Sequence, residues 1–264
     1  MTADLGAASS PVRLSVEAGV ARLTLNRPDR LNAFDEQMAH AWVAATTEAV
    51  SRDDVRAILL DAAGSAFCAG GDVRAMAASM TQGSQLEDLA ALINLGILAL
   101  TESAIPVVAA AHGATAGGGL GILLASDYSV VGDSSRIGSR YAQVGLTPDL
   151  SVSAHLAAAV GQRRALQLLL SDRMLRADDA LDWGLIAEIV PDTEVAARAE
   201  EIAREWADGA SGAYGQAKRL VRTREDRSFA EQLAEEARSI GAAFDTDDAR
   251  ERVAAFAARS AARR

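Results

Sequence analysis

Two glycine-rich turns constrain this chain more than any other feature. The first, Ala62-Ala63-Gly64-Ser65-Ala66-Phe67-Cys68-Ala69-Gly70-Gly71-Asp72-Val73-Arg74, follows the apolar run Val55 to Leu60. The second, Gly117-Gly118-Gly119, comes after the apolar run Val107 to Ala111 and opens a helical stretch that reaches Ala125. A residue without a Cβ lets its backbone approach another segment or a ligand closely. At a helix start, unbonded N–H groups and the helix dipole also favour negative charge. Taken singly, each turn is explained by tight packing; as an ordered pair they predict two backbone donors aimed at one oxyanion. Neither is a nucleotide motif. Gly117-Gly118-Gly119-Leu120-Gly121 lacks the dinucleotide spacing, and no Lys-Ser or Lys-Thr follows it as in a P-loop.

The elements around these turns alternate. Val12, Leu14 and Val16, then Ala21, Leu23 and Leu25, flank Ala18-Gly19 and predict a hairpin that Pro28 closes. Met38, Trp42, Ala45 and Ala49 follow helical spacing, and Val55 to Leu60 predicts a buried strand. The same succession returns with Leu86, Leu89, Ile93, Ile97 and Leu100 on a helix, Val107 to Ala111 as a strand, a helix from Gly117, and a strand at Tyr128 to Val131. Repeated strand and helix units with short connections predict an α/β layered core. After Pro191 only helices are expected, one of them opened by a Ser228–Glu231 capping box. Arg250 to Arg264 continues as an amphipathic stretch with Val253 and Phe256 on one side, and that face needs a surface to cover it. The expected division is a core over residues 1–191 and a helical region over 192–264.

Charge and cysteine content narrow the partners. With 36 acidic against 26 Lys and Arg side chains, the net charge of −10 argues against nucleic acid and against an anionic membrane surface. The single cysteine, Cys68, excludes an internal disulfide framework and suits a reducing compartment; no cysteine metal motif is present. Met1 to Pro11 lacks the succession of a signal peptide, and the longest apolar stretches are interrupted before membrane-spanning length. A cytoplasmic protein without a membrane partner is expected.

With the turns stand further landmarks: Asn26-Arg27-Pro28 with Leu31-Asn32-Ala33, Ser126-Asp127, Gly145-Leu146-Thr147-Pro148-Asp149, and Ala180-Leu181-Asp182-Trp183-Gly184-Leu185-Ile186 before Pro191. As a set, these resemble the crotonase (enoyl-CoA hydratase/isomerase) superfamily over nearly the whole chain. The resemblance implies a ClpP/crotonase-like spiral of ββα units followed by a C-terminal helical region used for assembly, as a homotrimer or homohexamer. It implies an acyl-CoA substrate and no cofactor beyond the coenzyme A thioester itself. The N–H groups of Gly71 and Gly118 would then grip the thioester oxygen, and Arg30, Leu31, Ala69, Asp72, Val73, Arg74 and Gly117 would lie along the substrate and its CoA moiety.

The chain departs from the hydratase pattern where that chemistry needs two glutamates, because the matching positions hold Gly121 and Tyr141. Neither is a general base near neutral pH. Asp149 stands in the turn where isomerase-like and some dehalogenase-like members carry their working acid, so the implied catalytic positions are Gly71, Gly118, Asp149 and Tyr141. One carboxylate suffices to move a double bond along an acyl chain. Asp149 has a competing role as cap of the helix that begins near Ser151. From Gly117 through Trp183 the chain is also similar to aroyl-CoA dehalogenases, with Gly119-Leu120-Gly121 and Arg163-Arg164-Ala165-Leu166 matching. Their helper histidine falls at Asn94 and their tryptophan at Tyr141.

The remaining candidates are ordinary. His40, His112 and His155 form no metal-ligand cluster, although His155 is close enough in sequence to Asp149 to line an acyl pocket. Cys68 has no basic partner and is expected as a buried filler. Trp42, Trp183 and Trp206 lie on helical stripes and are assigned to the core. Lys218, Arg219 and Arg222 cluster on one helix, either as a solvated face or as contacts for CoA phosphates.

Overall fold

The computed structural model describes residues 10–262. An antiparallel hairpin opens it, β1 (Val12–Glu17) and β2 (Val20–Leu25), turning at Ala18 and Gly19, both of which have positive φ as a primed two-residue turn requires. Helix α1 (Glu36–Ser51) is capped by the Asp35 side chain and buries Met38, Trp42, Ala45 and Ala49. Strand β3 (Ala57–Ala62) starts later than its apolar run, because the Arg56 and Ala57 N–H groups both bond the Gly19 carbonyl and bring Ala57 opposite Val20. Next come α2 (Val73–Ser79), α3 (Gly83–Glu102), β4 (Val107–Ala111), β5 (Ala114–Ala116), α4 (Gly118–Leu124), β6 (Tyr128–Gly132) and β7 (Arg136–Gly138). The spiral ends with α5 (Val152–Val160), α6 (Gln162–Leu169), β8 (Met174–Arg176), α7 (Ala177–Asp182) and β9 (Glu188–Val190).

The large sheet has the order β1-β2-β3-β4-β6-β9 and is parallel from β2 onward. Alternate residues of β3 and β4 divide between its faces. Ile58, Leu60, Val107, Ala109 and Ala111 join the core that α1 and α3 cover, while Ala57, Leu59, Val108 and Ala110 join a second core against a later helix. Burial on both faces explains why these strands are continuous apolar runs without a polar alternation. A smaller sheet, β5-β7-β8, is extended by isolated bridges between Cys68 and Thr115 and between Phe34 and Gly71. Successive turns of the chain thus place one strand in the large sheet and one extended segment in the second layer, the ββα spiral that the resemblance implies.

Among the described residues only helices follow β9: α8 (Val195–Asp208), α9 (Ser211–Arg222), α10 (Phe229–Phe244) and α11 (Asp247–Ala262). The capping box at Ser228 and Glu231 is present. Helix α8 covers the second sheet face through Val195, Ala199, Ile202 and Ala203. One expectation about apolar length needs correction, since α3 is long and apolar enough to cross a membrane by length and composition. Its Leu89, Ile93, Gly96, Ile97 and Leu100 are buried within the fold, with the Trp42 indole donating to the Ile93 carbonyl at 3.1 Å.

The basic cluster on α9 is neither a solvated face nor a phosphate site. Lys218 is buried, and its ammonium donates to the Leu100 and Ile105 carbonyls at 2.6 and 2.8 Å and pairs with Asp127 at 3.0 Å. Arg222 pairs with the other Asp127 oxygen at 2.8 Å and with the Ser126 carbonyl, and Arg219 pairs with Glu235 of α10. These side chains fasten the helical region to the ends of α3, α4 and β4. Losing one partner of a buried charged pair costs about 3–5 kcal/mol, because the remaining groups stay buried without a donor. Lys218→Met is therefore expected to destabilise by about 3 kcal/mol, the low end of that range because Arg222 still serves Asp127. Urea denaturation checks this as a lower midpoint at unchanged slope.

Candidate active site

The backbone hydrogen bonds around the first glycine turn use the residues on either side of Gly71 and leave out the Gly71 N–H. Phe34 donates to the Gly70 carbonyl at 2.7 Å and accepts from Asp72 N–H at 2.8 Å, while Ala116 donates to the Cys68 carbonyl at 2.9 Å. In the second turn Gly117 N–H bonds the Ser139 carbonyl at 2.9 Å, and Gly118 is the first residue of α4, where no intrahelical acceptor exists. The N–H groups of Gly71 and Gly118 have no acceptor among the described residues. Glycine is needed where the two turns meet: Gly70 has a φ of +101°, and a Cβ there would stand 2.9 Å from the Ala116 carbonyl oxygen and 3.0 Å from Gly118 N.

Gly71 and Gly118 line one cavity of about 360 Å³. One wall is apolar and comes from α2 and α3, through Val73, Met76, Leu86, Leu89, Ala90 and Ile93; the other comes from the 141–150 segment. Of the positions singled out in the sequence, Ala69, Gly71, Val73, Gly117, Gly118, Tyr141 and Asp149 are brought together here. Arg30, Leu31, Asp72 and Arg74 are outside the wall. Asp72 is committed elsewhere, since its carboxylate caps α2 through Ala75 N–H at 3.0 Å and pairs with Arg27 at 3.0 Å, so its side chain is not free for a ligand. Arg30 and Leu31 are exposed on the short turn after Pro28, with the Leu31 carbonyl bonded to Ala69 N–H. Glu87 also lines the cavity. It shares a helical stripe with Gly83, Ala90 and Ile93, a signal present in the sequence that motif matching passes over.

Asp149 does not cap α5 with its side chain. Its backbone carbonyl accepts from Val152 N–H at 3.0 Å, and its carboxylate turns into the cavity, where Oδ1 accepts the Tyr141 hydroxyl at 2.5 Å. Burial pushes the Asp149 carboxyl above the usual carboxylate range, and the Tyr141 bond opposes that rise. Burial, and then the neighbouring Asp149 charge, push the Tyr141 phenol far above its ordinary value, so it serves as a donor and not as a base.

Other expectations change. His155 does not line the cavity; its Nε2 faces Arg222 at 3.5 Å. Trp183 is half-buried between the Arg164 and Arg173 guanidiniums, at 5.4 and 5.3 Å, and packs against the edge of the main core. Trp206 is also half-buried and packs edge-on to Tyr128, whereas Trp42 is fully buried. Cys68 is buried, donates to the Asn32 carbonyl at 3.1 Å and has its thiol pushed up to about 12 by burial. The Gly121 position is sterically closed, since a Cβ there would overlap the Leu150 carbonyl oxygen.

A ββα spiral with a largely apolar cavity lined by two glycine turns is the setting in which the comparisons with known proteins place this chain among enzymes of CoA thioesters. The profile of the enoyl-CoA hydratase/isomerase family matches residues 15–263. The chain is 34% identical over 249 residues to the 1,2-epoxyphenylacetyl-CoA isomerase of Escherichia coli, covering 92% of this chain and 94% of that one. It is 30% identical to the 4-chlorobenzoyl coenzyme A dehalogenase-2 of an Arthrobacter species, covering 94% and 91%. The crystal structure of an enoyl-CoA hydratase/isomerase from Mycobacterium abscessus superposes with a TM-score of 0.88 at 31% identity, covering 94% and 96%. The chain belongs to the enoyl-CoA hydratase/isomerase family.

The raised Asp149 carboxyl has a sign that can be measured. A carboxyl with a raised folded-state pKa contributes stability below its unfolded pKa and loses that contribution as pH rises through the folded value. Asp149→Asn keeps an acceptor for Tyr141 and removes the charge. The variant is expected to have a higher thermal midpoint than the parent at pH 7.5, a difference that disappears by about pH 4.

Proposed function

We propose that the protein isomerises a 3-enoyl-CoA to a 2-enoyl-CoA, with Asp149 carrying the proton. The observation behind this is a half-buried carboxylate, bonded on Oδ1 by Tyr141, in the cavity that Gly71 and Gly118 also line. Asp149 takes a proton from the carbon beside the thioester, and the C–H electrons move toward the carbonyl oxygen. The Gly71 and Gly118 N–H groups stabilise the charge that develops there, a contribution worth ~10²–10³ in rate for one donor. Asp149 then returns the proton at the far end of the former double bond while a new one forms next to the thioester. Atoms balance without water or a cofactor. Burial supports the role by bringing the Asp149 pKa toward the working pH, and Tyr141 leaves Oδ2 as the oxygen that meets substrate.

Hydration fits less well, because Gly121 and Tyr141 supply no base for a water. The same reading takes residues 1–191 as the acyl-CoA-binding core and 192–264 as the region of assembly into a homotrimer or homohexamer. Exposed Phe229, Leu233, Ile240 and Phe244 on α10 and Phe256 on α11 support assembly, since a water-facing apolar row of this size needs a partner surface.

Turnover of 3-hexenoyl-CoA followed at 2-enoyl absorbance tests the activity. Asp149→Asn is expected to lower kcat by ~10²–10⁴ with thioester binding kept. In the parent, kcat/KM should fall on the acid side with an apparent pKa above the ordinary carboxylate value of ~4. Binding of acyl-CoA without turnover in either protein would make the chain a silent binder and contradict the proposal.

A further inference from the structure

Helix α4 presents Gly118 and Gly121 on one face, and the 149–151 turn lies directly against it. A Cβ on Gly118 would stand 2.5 Å from Leu150 Cδ1, and a Cβ on Gly121 would overlap the Leu150 carbonyl oxygen. The two missing side chains therefore make the groove that Leu150 fills, its side chain over Gly118 and its backbone over Gly121. Leu150 is buried, and it is held in the left-handed region, with φ of 48°, as is Ser151, with φ of 68°. Two consecutive non-glycine residues in that region are strained, and such a pair persists only where the surroundings enforce it. The enforcement is visible in the backbone: Val152 N–H closes onto the Asp149 carbonyl at 3.0 Å, and His155 N–H bonds the Ser151 carbonyl at 2.9 Å.

We infer that Gly121 and Leu150 are positioning residues for Asp149: the glycine face of α4 admits the Leu150 backbone, and the left-handed turn seated there aims the Asp149 carboxylate into the cavity. A side chain at 121 and this placement of the Asp149 turn exclude each other, because both occupy the same volume. The glycine at 121 is then more than a missing acid. It is the condition under which the working carboxylate arrives from the 149 turn instead of from α4. The same helix therefore sets both halves of the site, offering the Gly118 N–H from its first residue and seating the acid-bearing turn one helical turn later. This inference rests on Asp149 acting as the proton carrier.

A double-mutant cycle tests it. Gly121→Ala forces the Leu150 carbonyl away from α4. Leu150→Val trims the side chain by one methylene and puts a β-branched residue where φ is positive, which disfavours the turn. Each is assayed with 3-hexenoyl-CoA alone and in the Asp149→Asn background, with thermal midpoint and binding of hexanoyl-CoA measured on every variant. The expected result is a kcat loss of ~10²-fold for either single variant, the order of loss that a misplacement of about 1 Å produces, at a nearly unchanged KM. In the Asp149→Asn background the same substitutions should change kcat by less than about twofold, because residues acting through one group are not additive. A merely structural role predicts the opposite, an equal loss in both backgrounds. If Gly121→Ala does not fold, Leu150→Val carries the test alone. Full kcat in both single variants, or additive losses, would overturn the inference while leaving Asp149 as the base. Unchanged turnover in Asp149→Asn by itself would instead remove the proton-carrying reading on which it rests.

Discussion

The structure depends on one close approach, that of the Gly70 backbone to the Ala116–Gly118 turn. These segments end neighbouring arms of the spiral, and they can touch only because position 70 carries no side chain and adopts a φ of +101°. The contact fixes where the Gly71 and Gly118 amides stand relative to each other. Cys68 and Ala116 bond across it, and the Phe34 bridge occupies the amide and carbonyl on either side of Gly71. The backbone groups beside the two amides are bonded to Phe34 and Ser139, and in the proposed function this leaves Gly71 and Gly118 as two donors for the thioester oxygen in a cavity whose remaining lining is mostly apolar. Such donors act strongly because they need no reorganisation as charge develops.

Against this rigid pair stands a second element under strain. The 141–151 segment holds a hydroxyl and a carboxylate in hydrogen-bond contact and turns through Leu150 and Ser151 at positive φ. Its local conformation is unfavourable, and its carboxyl is raised by burial. Costs of this kind concentrate where function requires them. The helical region contributes at a distance, by locking the ends of α3, α4 and β4 through the Asp127, Lys218 and Arg222 cluster. Helix α4 thus begins at the amide pair, ends at this ionic cluster, and has little freedom to shift.

Much of this was legible in the sequence. Alternation around Ala18-Gly19 located the hairpin, the Met38–Ala49 stripe located α1, and the continuous apolar runs located β3 and β4 as strands, while their burial on both faces came from the structure. The glycine turns were visible as candidates, and the resemblance of the surrounding motifs brought in the family. What escaped has a physical explanation in each case. Lys218 is an ordinary surface residue by type, and only the tertiary structure shows three acceptors converging on its ammonium. Asp72 belongs to a glycine motif, yet the start of α2 and the nearby Arg27 claim its carboxylate. Glu87 shares a stripe with apolar neighbours, so its presence in the cavity wall follows from how α3 is rotated. The meaning of Gly121 lies in what occupies the space of its absent side chain, and no local pattern reports that.

In the proposed reaction two main-chain donors polarise a thioester carbonyl. Isotope-edited infrared difference spectroscopy measures this directly on a 2-enoyl-CoA carrying ¹³C at that carbonyl. On binding to the protein, the labelled C=O band should move to lower frequency than in water, as two charge-stabilising hydrogen bonds weaken the double bond. A band at or above its position in free solution, from a ligand shown by titration to be bound, would contradict the account.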